Sequence, residues 1–242
     1  MSMLVQRDKW LQYRALSNVP KLARRLPETL LLEKETLHHM LLQHSSVVLK
    51  PCDGRYGRDI IFIRCLKNGT YHIQNENNTI TMQNRDELQD WFDQIDKNRE
   101  YIIQQRLYLA RIQQRPFDLR IMVQRQTATP SAWKVTGSYA KVASRGYLIT
   151  NVTNRTIPAL KALQLARIGG RKLLLQVERT VLLAAKSLEV HYPDLRQIGF
   201  DIGIDKKGRV WIIEGNYRPD LRPFRRLKDS SMYRRILWYQ KH

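Results

Sequence analysis

The 242-residue chain contains little cysteine and lacks any long apolar run. Only Cys52 and Cys65 are present, without metal-type spacing, which argues against a disulfide framework and against a zinc site. No apolar run approaches the roughly 18 residues of a membrane span, and the opening MSMLVQRDKW lacks the apolar core of a signal peptide. We therefore expect a cytoplasmic protein with reduced cysteines and no membrane partner.

Acidic residues are also scarce, with 22 Asp and Glu against 42 Lys and Arg and a formal net charge of +20. Such an excess attracts polyanions, nucleotides or acidic surfaces, without indicating which. The basic residues are spread along the chain, and no RNP motif, zinc finger or repeat occurs, so specific nucleic-acid binding is the less favoured interpretation. A hydrophobic content of 43% indicates a globular protein.

The order of predicted elements indicates an α+β protein. Residues 1–26 are basic and predicted helical, and residues 29–44 begin with a short apolar run and continue as an amphipathic helix. Strand patterns follow, interrupted by a helix. Residues 158–191 predict one long amphipathic helix or two shorter ones broken at Gly169 and Gly170. A hairpin and a basic tail close the chain.

That hairpin is GFDIGIDKKGRVWIIEGN, residues 199–216, built around an Asp-Lys-Lys-Gly turn. Side chains alternate along a strand, so Glu214 and Asn216 share a face, and the register places Asp201 opposite a residue between Ile212 and Glu214. Two carboxylates and one amide oxygen suit Mg²⁺. The alternative is a half-buried hairpin without a ligand. An unpaired charge is costly at the ends of apolar strands, which favours the metal site.

A second candidate feature is a glycine-bearing loop that could bind phosphate. No Walker A motif is present, but Lys50 ends the apolar strand VVL, and Gly54 and Gly57 follow in a loop between two strands. Glycines let backbone N–H groups approach phosphate oxygens, and the lysine supplies a point charge. An ordinary hairpin turn is the commoner explanation of such a pattern.

Two further cations lie on predicted strands. In RPFDLRIMVQR, Asp118 and Arg120 share one strand face, and a planar guanidinium suits a phosphate or a carboxylate. Arg120 could equally pair with Asp118 alone. Lys141, in GSYAKVASRG, has a similar setting, although a surface lysine is the commoner case.

Taken in order, these segments resemble the ATP-grasp superfamily and, within it, the YheC/YheD family of endospore coat-associated proteins. The resemblance runs from about Pro27 to Pro219, and the basic opening is similar as well. The strongest match is the metal-type hairpin, GFDIGIDKKGRVWIIEGNYRP. The other matching motifs are VVLKPCDGRYGRDI, YIIQQRL, RPFDLRIMV and LITNVTN.

This resemblance implies an ATP-grasp fold, in which two α+β lobes with antiparallel sheets sandwich the nucleotide. It divides the chain into a basic N-terminal helical segment (1–26), a small lobe with the glycine loop (27–107), a large lobe with the metal site (108–220) and a basic C-terminal helix (221–242).

The resemblance also implies a ligand set. ATP would be bound by Lys50, Gly54, Gly57, Gln104, Gln105, Leu107 and Asn151, with the first three over the phosphates and the strand at 104–107 facing the adenine. Arg120 and Lys141 would be catalytic, at the γ-phosphate, and Asp201, Glu214 and Asn216 would hold Mg²⁺.

The implied chemistry is attack of a carboxylate on the γ-phosphate to form an acyl phosphate, which an amine, a thiol or a similar nucleophile then captures. Such phosphoryl transfer depends mainly on positioning and on charge stabilisation by metal and cationic side chains. The substrate and acceptor are not identified by the sequence. Acidic spore-coat components are candidate partners, and the spore coat a candidate location, on the resemblance alone.

The chain departs from the family pattern at several positions. Asp59 stands where a third loop glycine is expected, Lys141 where an arginine is expected, Arg155 and Thr156 in place of a Gly-Gly pair, and Arg111 at the position of a ribose-binding acid. A separate N-terminal substrate domain is also expected to be absent. These departures favour the alternative of a catalytically degenerate binding or coat-assembly protein, with a basic nucleic-acid binder as the third interpretation.

Overall fold

The computed structural model describes residues 8–54, 57–75, 78–95, 98–127, 132–144 and 153–242. These residues form two compact units. The N-terminal unit contains Pro27–Leu107 together with the stretch that ends at Tyr13, and the C-terminal unit contains Arg14–Leu26 and Tyr108–His242. Each unit combines helices with antiparallel strands, which confirms the predicted α+β class.

The described elements alternate between short helices and strands along most of the chain. In chain order they are α1 (Lys9–Ser17), α2 (Pro20–Ala23), β1 (Thr29–Leu31), α3 (Lys34–His44), β2 (Ser46–Pro51), β3 (Ile61–Cys65), β4 (Tyr71–Asn75), β5 (Asn78–Met82), α4 (Arg85–Asp93), β6 (Tyr101–Gln105), β7 (Arg111–Ile112), β8 (Arg115–Gln124), β9 (Lys134–Ala143), β10 (Thr153–Pro158), α5 (Ala159–Leu165), α6 (Arg171–His191), β11 (Gln197–Ile204), β12 (Val210–Asn216), α7 (Arg222–Arg225) and α8 (Ser231–Lys241).

The sheet of the N-terminal unit has the strand order β1-β6-β2-β3-β4-β5, with neighbouring strands antiparallel. Helix α3 packs on β2 and β6 because Leu37, Met40 and Leu41 recur at helical spacing and form one apolar stripe. These side chains are buried together with alternate residues of the sheet, among them Val47 and Leu49 of β2. The core of this unit therefore lies between α3 and the sheet.

The sheet of the C-terminal unit has the order β10-β9-β8-β11-β12, and β7 pairs with β8. Helix α6 packs on β8, β9 and β11 and buries Val177, Val181 and Leu188 at helical spacing. The break predicted at Gly169 and Gly170 is confirmed, because it separates α5 from α6. Gly169 has a φ of +155°, a conformation open to glycine and rare for other residues.

Strands β11 and β12 form the hairpin predicted for residues 199–216. Its turn is closed by Asp205, whose Oδ1 accepts the backbone N–H groups of Lys207 at 2.8 Å and Arg209 at 2.9 Å. This carboxylate is therefore occupied in holding the turn. It explains one of the acidic residues in an otherwise basic chain.

The tail predicted as one basic helix over residues 221–242 contains two helices, α7 and α8. The separation has a local cause, because Asp229 accepts the N–H of Ser231 at 2.8 Å and its hydroxyl at 2.7 Å, which fixes a turn immediately before α8. Among the described residues, no helix combines the length and the apolarity needed to cross a membrane.

Candidate functional site

The predicted metal ligands lie on one face of the C-terminal sheet. In the ladder between β11 and β12, Asp201 lies opposite Glu214, and Gly199 lies opposite Asn216. Directly paired residues of antiparallel strands project from the same face. The register therefore brings Asp201, Glu214 and Asn216 to one side of the hairpin, in agreement with the alternation read from the sequence. A register shift follows Asp201, where β12 carries an extra residue.

Two ion-paired cations lie on the same face, from strands β8 and β9. Arg120 lies opposite Asp201, and Lys141 opposite Asp118. The guanidinium of Arg120 donates from Nε to Asp201 Oδ1 at 2.8 Å and from Nη2 to Oδ2 at 2.9 Å. Lys141 Nζ lies 3.0 Å from Asp201 Oδ1 and 3.2 Å from Asp118 Oδ2. We refer to Asp118, Arg120, Lys141 and Asp201 as the charged cluster.

All four residues of the charged cluster are buried, each less than a tenth exposed. Burial alone would raise the pKa of the Asp201 carboxyl, but the neighbouring Arg120 and Lys141 outweigh it and lower the pKa to about 2. Burial likewise opposes the charge on Lys141, and Asp118 and Asp201 more than compensate, so the pKa of Lys141 is raised. The cluster therefore brings two basic side chains and two carboxyl groups into direct contact in a buried place.

The amide of Asn216 joins this arrangement, because its Nδ2 donates to Asp201 Oδ2 at 3.3 Å. The amide oxygen is thus the atom of Asn216 that remains to serve as a metal ligand. Together with the carboxylates of Asp201 and Glu214 it would make up the predicted donor set of a hard cation. In the described part of the chain, no group of three or more His, Cys, Asp or Glu could hold a metal ion. The donors fit Mg²⁺, which takes one or two carboxylates and completes its shell with water and phosphate oxygens.

In the N-terminal unit, Lys50 lies in a buried hydrogen-bond chain. Its Nζ donates to Gln104 Oε1 at 2.6 Å, Gln104 Nε2 donates to Thr29 Oγ1 at 2.8 Å, and the Thr29 hydroxyl donates to the carbonyl of Pro27 at 2.9 Å. Lys50 and Gln104 share a sheet face because Val48 lies opposite Gln104 in the β2–β6 ladder. This hydrogen-bond chain therefore fixes the position of the Lys50 ammonium group near the end of β2.

The predicted glycine loop begins directly after Lys50. Gly54 accepts a hydrogen bond at its carbonyl from Lys9 Nζ at 2.7 Å, and a Cβ added at Gly54 would lie 3.1 Å from the carbonyl oxygen of Pro51. Gly57 has a φ of +69°, the left-handed conformation that glycine adopts without strain. Both glycines are therefore at positions where a side chain would be unfavourable.

Asp59, which stands where a glycine is expected, also has a left-handed backbone with a φ of +60°. Its carboxylate pairs with Arg99 Nη1 at 2.8 Å, and the same guanidinium donates from Nε to Asp53 Oδ1 at 2.8 Å. Arg99 thus connects the two ends of the loop. Asp59 thus has the left-handed backbone that glycine adopts easily, and its side chain adds an ion pair with Arg99.

The remaining residues predicted to contact the nucleotide are Gln105, Leu107 and Asn151. Gln105, at the end of β6, is half-buried, and its N–H donates to the carbonyl of Glu28 at 2.8 Å. Leu107, also half-buried, follows two residues later. Asn151 lies outside the described residues.

Besides Lys141, two departures from the family pattern lie in the C-terminal unit. Arg111 is exposed on the short strand β7. Thr156 lies opposite Lys141 in the β9–β10 ladder, and Arg155 beside it is exposed. The strand that carries the Arg-Thr pair therefore adjoins the charged cluster.

Sequence reasoning missed the actual partners of the site cations. Arg120 pairs with Asp201 rather than with Asp118, the partner considered from the sequence, and Asp118 pairs with Lys141. Thr29 and Arg99 were not singled out at all. The alternation in FDLR signals the shared face of Asp118 and Arg120, but no local signal identifies a partner on another strand.

Comparison with known proteins identifies the family and the fold. The family model of "YheC/D like ATP-grasp" matches residues 5–242. Endospore coat-associated protein YheC of Bacillus subtilis is 25% identical over 222 residues, which cover 88% of this chain and 60% of YheC. Endospore coat-associated protein YheD of the same organism is 25% identical over 219 residues, which cover 88% of this chain and 48% of YheD. The chain thus spans only part of the length of either relative.

Solved structures show the same fold. The ATP-grasp ligase PsnB, complexed with a minimal precursor, has a TM-score of 0.56 at 15% identity and covers 98% of this chain and 61% of its own. An ADP complex of N5-carboxyaminoimidazole ribonucleotide synthetase has a TM-score of 0.53 at 15% identity, over 89% of this chain and 45% of its own. The fold is the ATP-grasp fold, and the chain belongs to the YheC/D-like ATP-grasp family.

Proposed function

We propose that the protein binds Mg-ATP and activates a carboxylate as an acyl phosphate. The observation that carries this proposal is the charged cluster beside Glu214 and Asn216, because these residues share one sheet face and are of the types that bind phosphate and Mg²⁺. Membership of the ATP-grasp family and the fold shared with an ADP complex support nucleotide binding.

Arg120 and Lys141 are the residues proposed to act on the transferred phosphoryl group. Both now neutralise Asp201, and both can instead neutralise the oxygens of a γ-phosphate. Asp201, Glu214 and Asn216 would hold Mg²⁺, which when bound supplies charge neutralisation across the phosphates.

The remaining predicted contacts would bind the nucleotide itself. Lys50 is held by Gln104 at the mouth of the loop that contains Gly54 and Gly57. We assign these residues to the phosphates and Gln105 with Leu107 to the adenine. Asn151 completes the proposed cofactor-binding set.

The proposed reaction needs no protein nucleophile. A substrate carboxylate oxygen forms a bond to the γ-phosphorus as the bond to the β,γ-bridging oxygen breaks, and ADP leaves with that electron pair. The acyl phosphate is then attacked at its carbonyl carbon by an amine or similar nucleophile, inorganic phosphate leaves, and the proton of the nucleophile passes to phosphate or solvent. Arg120 and Lys141 stabilise the charge on the transferred group.

Calorimetric titration of ATP with and without Mg²⁺ tests the binding step. We expect binding that requires Mg²⁺ in the intact protein and that is lost in Glu214→Ala. A matched control is Glu178→Ala, which removes one carboxylate from helix α6, a helix without any predicted site residue. ATP affinity unchanged by Glu214→Ala would overturn the assignment. Steady ADP release that requires an added carboxylate tests the chemistry.

A second candidate function is a binding or coat-assembly protein that has lost turnover. Two observations favour it: Asp59 introduces a negative charge into the loop, and Arg155-Thr156 replaces a Gly-Gly pair next to Lys141. The names of the relatives associate them with the endospore coat, and we extend that location to this chain as part of the proposal. Carboxylate-dependent ATP consumption would exclude this function.

A further inference from the structure

The segment that follows Asn216 is strongly basic. Residues 217–242 contain six Arg and two Lys against two Asp. This excess begins directly after the last predicted Mg²⁺ ligand. It is not used by the proposed nucleotide site.

The apolar side of this segment is fixed on the sheet face that carries the charged cluster. Tyr139, which lies opposite Arg120 in the β8–β9 ladder, makes an edge-on ring contact with Phe224 at 4.8 Å between centroids. The N–H of Ser138 donates to the sulfur of Met232 at 3.3 Å. A Cβ added at Gly137 would lie only 2.7 Å from the Phe224 ring, so the close approach of this ring requires glycine. The segment is therefore positioned by specific contacts.

The start of the segment adjoins the cluster itself. A Cβ added at Gly199 would lie 2.6 Å from the Cβ of Pro219 and 3.2 Å from the Cδ of Arg120. Pro219 and Arg120 thus both cover Gly199, which neighbours Asp201 by two positions on β11. A ligand bound along the segment would end beside the charged cluster.

The outward side of the segment carries exposed cations. Arg225, Arg226 and Lys228 are exposed beside the buried Phe224, and Arg234 and Arg235 are exposed beside the buried Ile236. In the described part of the chain, no carboxylate lies within ion-pair distance of Arg225, Arg226 or Lys228. We call Arg225, Arg226, Lys228, Arg234 and Arg235 the basic surface.

We propose that the basic surface is the docking site of an acidic polypeptide, whose carboxylate is the substrate activated at the charged cluster. The proposal rests on the proposed function and specifies its substrate class. Guanidinium groups bind carboxylates in a two-pronged geometry, and several of them in succession match a chain rich in Asp and Glu. A nucleic acid would satisfy the charge but offers no carboxylate to the site. Charge complementarity and the reaction together favour the polypeptide.

The test measures binding of a fluorescein-labelled oligoglutamate peptide to the full chain by anisotropy, without nucleotide. Arg225→Gln/Arg226→Gln/Lys228→Gln should weaken binding by about tenfold, because three exposed charge pairs, each weak by itself, are lost together. The matched control is Lys172→Gln/Arg179→Gln/Lys186→Gln, which removes the same charge from exposed positions of helix α6. The control should change binding by less than about twofold. Equal weakening by both variants would overturn the proposal, because binding would then depend on net charge alone.

Two competitors separate the remaining outcomes. An oligoglutamine peptide should not displace the label, and displacement by it would contradict a carboxylate site. A single-stranded oligonucleotide of equal charge should compete more weakly than oligoglutamate. Tighter binding of the oligonucleotide, with the same loss in the Arg225/Arg226/Lys228 variant, would overturn the proposal in favour of nucleic acid.

Titration of ATP into the same variants distinguishes failure of this proposal from failure of the proposed function. ATP affinity should be unchanged in the Arg225/Arg226/Lys228 variant, since these residues have no part in the nucleotide site. Peptide binding without ATP binding in the intact protein would overturn the proposed function and, with it, the assignment of the peptide as substrate. ATP binding without peptide binding would overturn the docking surface alone.

Discussion

Arg120 and Arg99 make the same kind of contact in two very different places. Each guanidinium contacts carboxylate oxygens at 2.8 Å, Arg120 on Asp201 in the C-terminal unit and Arg99 on Asp53 and Asp59 in the N-terminal unit. Arg120 is buried, whereas the side chain of Arg99 is 30% exposed and those of Asp53 and Asp59 are more than half exposed. Equal distances therefore correspond to unequal energies, because water screens one pair and not the other.

Removal of Arg120 should have the largest effect. Arg120→Ala leaves Asp201 buried with fewer counter-charges, and breaking a buried ion pair destabilises a protein by about 3–5 kcal/mol. Urea unfolding followed by circular dichroism measures this loss. Arg120→Lys keeps the charge without the two-pronged geometry and should lose less. A loss of under about 1 kcal/mol in Arg120→Ala would contradict the expected difference in energy between the buried pair and the exposed pairs.

The buried pair at Asp201 and the exposed pair at Asp53 should also differ in how strongly their contribution to stability depends on acidic pH. The pKa of Asp201 is lowered from 3.8 to about 2 because the two cations outweigh its burial. A depressed pKa means that the stabilisation is complete above about pH 4 and is lost as the pH falls towards 2, by an amount on the order of 2 kcal/mol. Unfolding free energies measured between pH 4 and pH 2 should therefore fall less steeply in Asp201→Asn than in the unmodified protein. Asp53→Asn in the exposed pair is the control and should leave the slope nearly unchanged.

Asp201 is already paired with two cations, Arg120 and Lys141. We therefore expect it to bind a metal ion tightly only when nucleotide phosphates compete for those cations. Both Asp201 oxygens already accept hydrogen bonds from Arg120, and Lys141 lies 3.0 Å from one of them. We expect Mn²⁺, followed by electron paramagnetic resonance, to bind at least about tenfold more tightly with ADP present, corresponding to about 1.4 kcal/mol. Lys141→Met should narrow this ratio by removing one competitor for Asp201. Equal Mn²⁺ affinity with and without ADP would show that the ion pairs do not oppose the metal.

The sequence predicts the features of this site that depend on local geometry. Strand alternation and an Asp-to-Gly turn are sufficient for the hairpin and for the shared face of Glu214 and Asn216. The Gly169-Gly170 break follows from the same local chemistry. Membership of the family was predictable because its motifs occur in order along most of the chain.

The pairing of charges was not predictable from local patterns. Arg120 and Asp201 are 81 residues apart in sequence, and Lys50 and Gln104 are 54 apart. Alternation identifies the face on which a side chain lies, whereas its partner depends on strand order and register. The bulge after Asp201 illustrates the limit, because one extra residue on β12 decides which residue faces Asp201.

The smallest effect should come from the exposed pair. Arg99→Ala should cost at most about 1 kcal/mol of unfolding free energy, and the loss should disappear in concentrated salt, because both carboxylates are solvated. Asp59→Gly removes one of the two ion pairs but places glycine at a φ of +60°, where it is unstrained, so the two effects should cancel to within about 0.5 kcal/mol. Urea unfolding of Arg99→Ala, Asp59→Gly and the double variant at low and high salt measures both. A loss in Asp59→Gly as large as that in Arg120→Ala would show that the loop tether is energetically equivalent to the buried cluster, and exposure would not explain the difference between the two arginines.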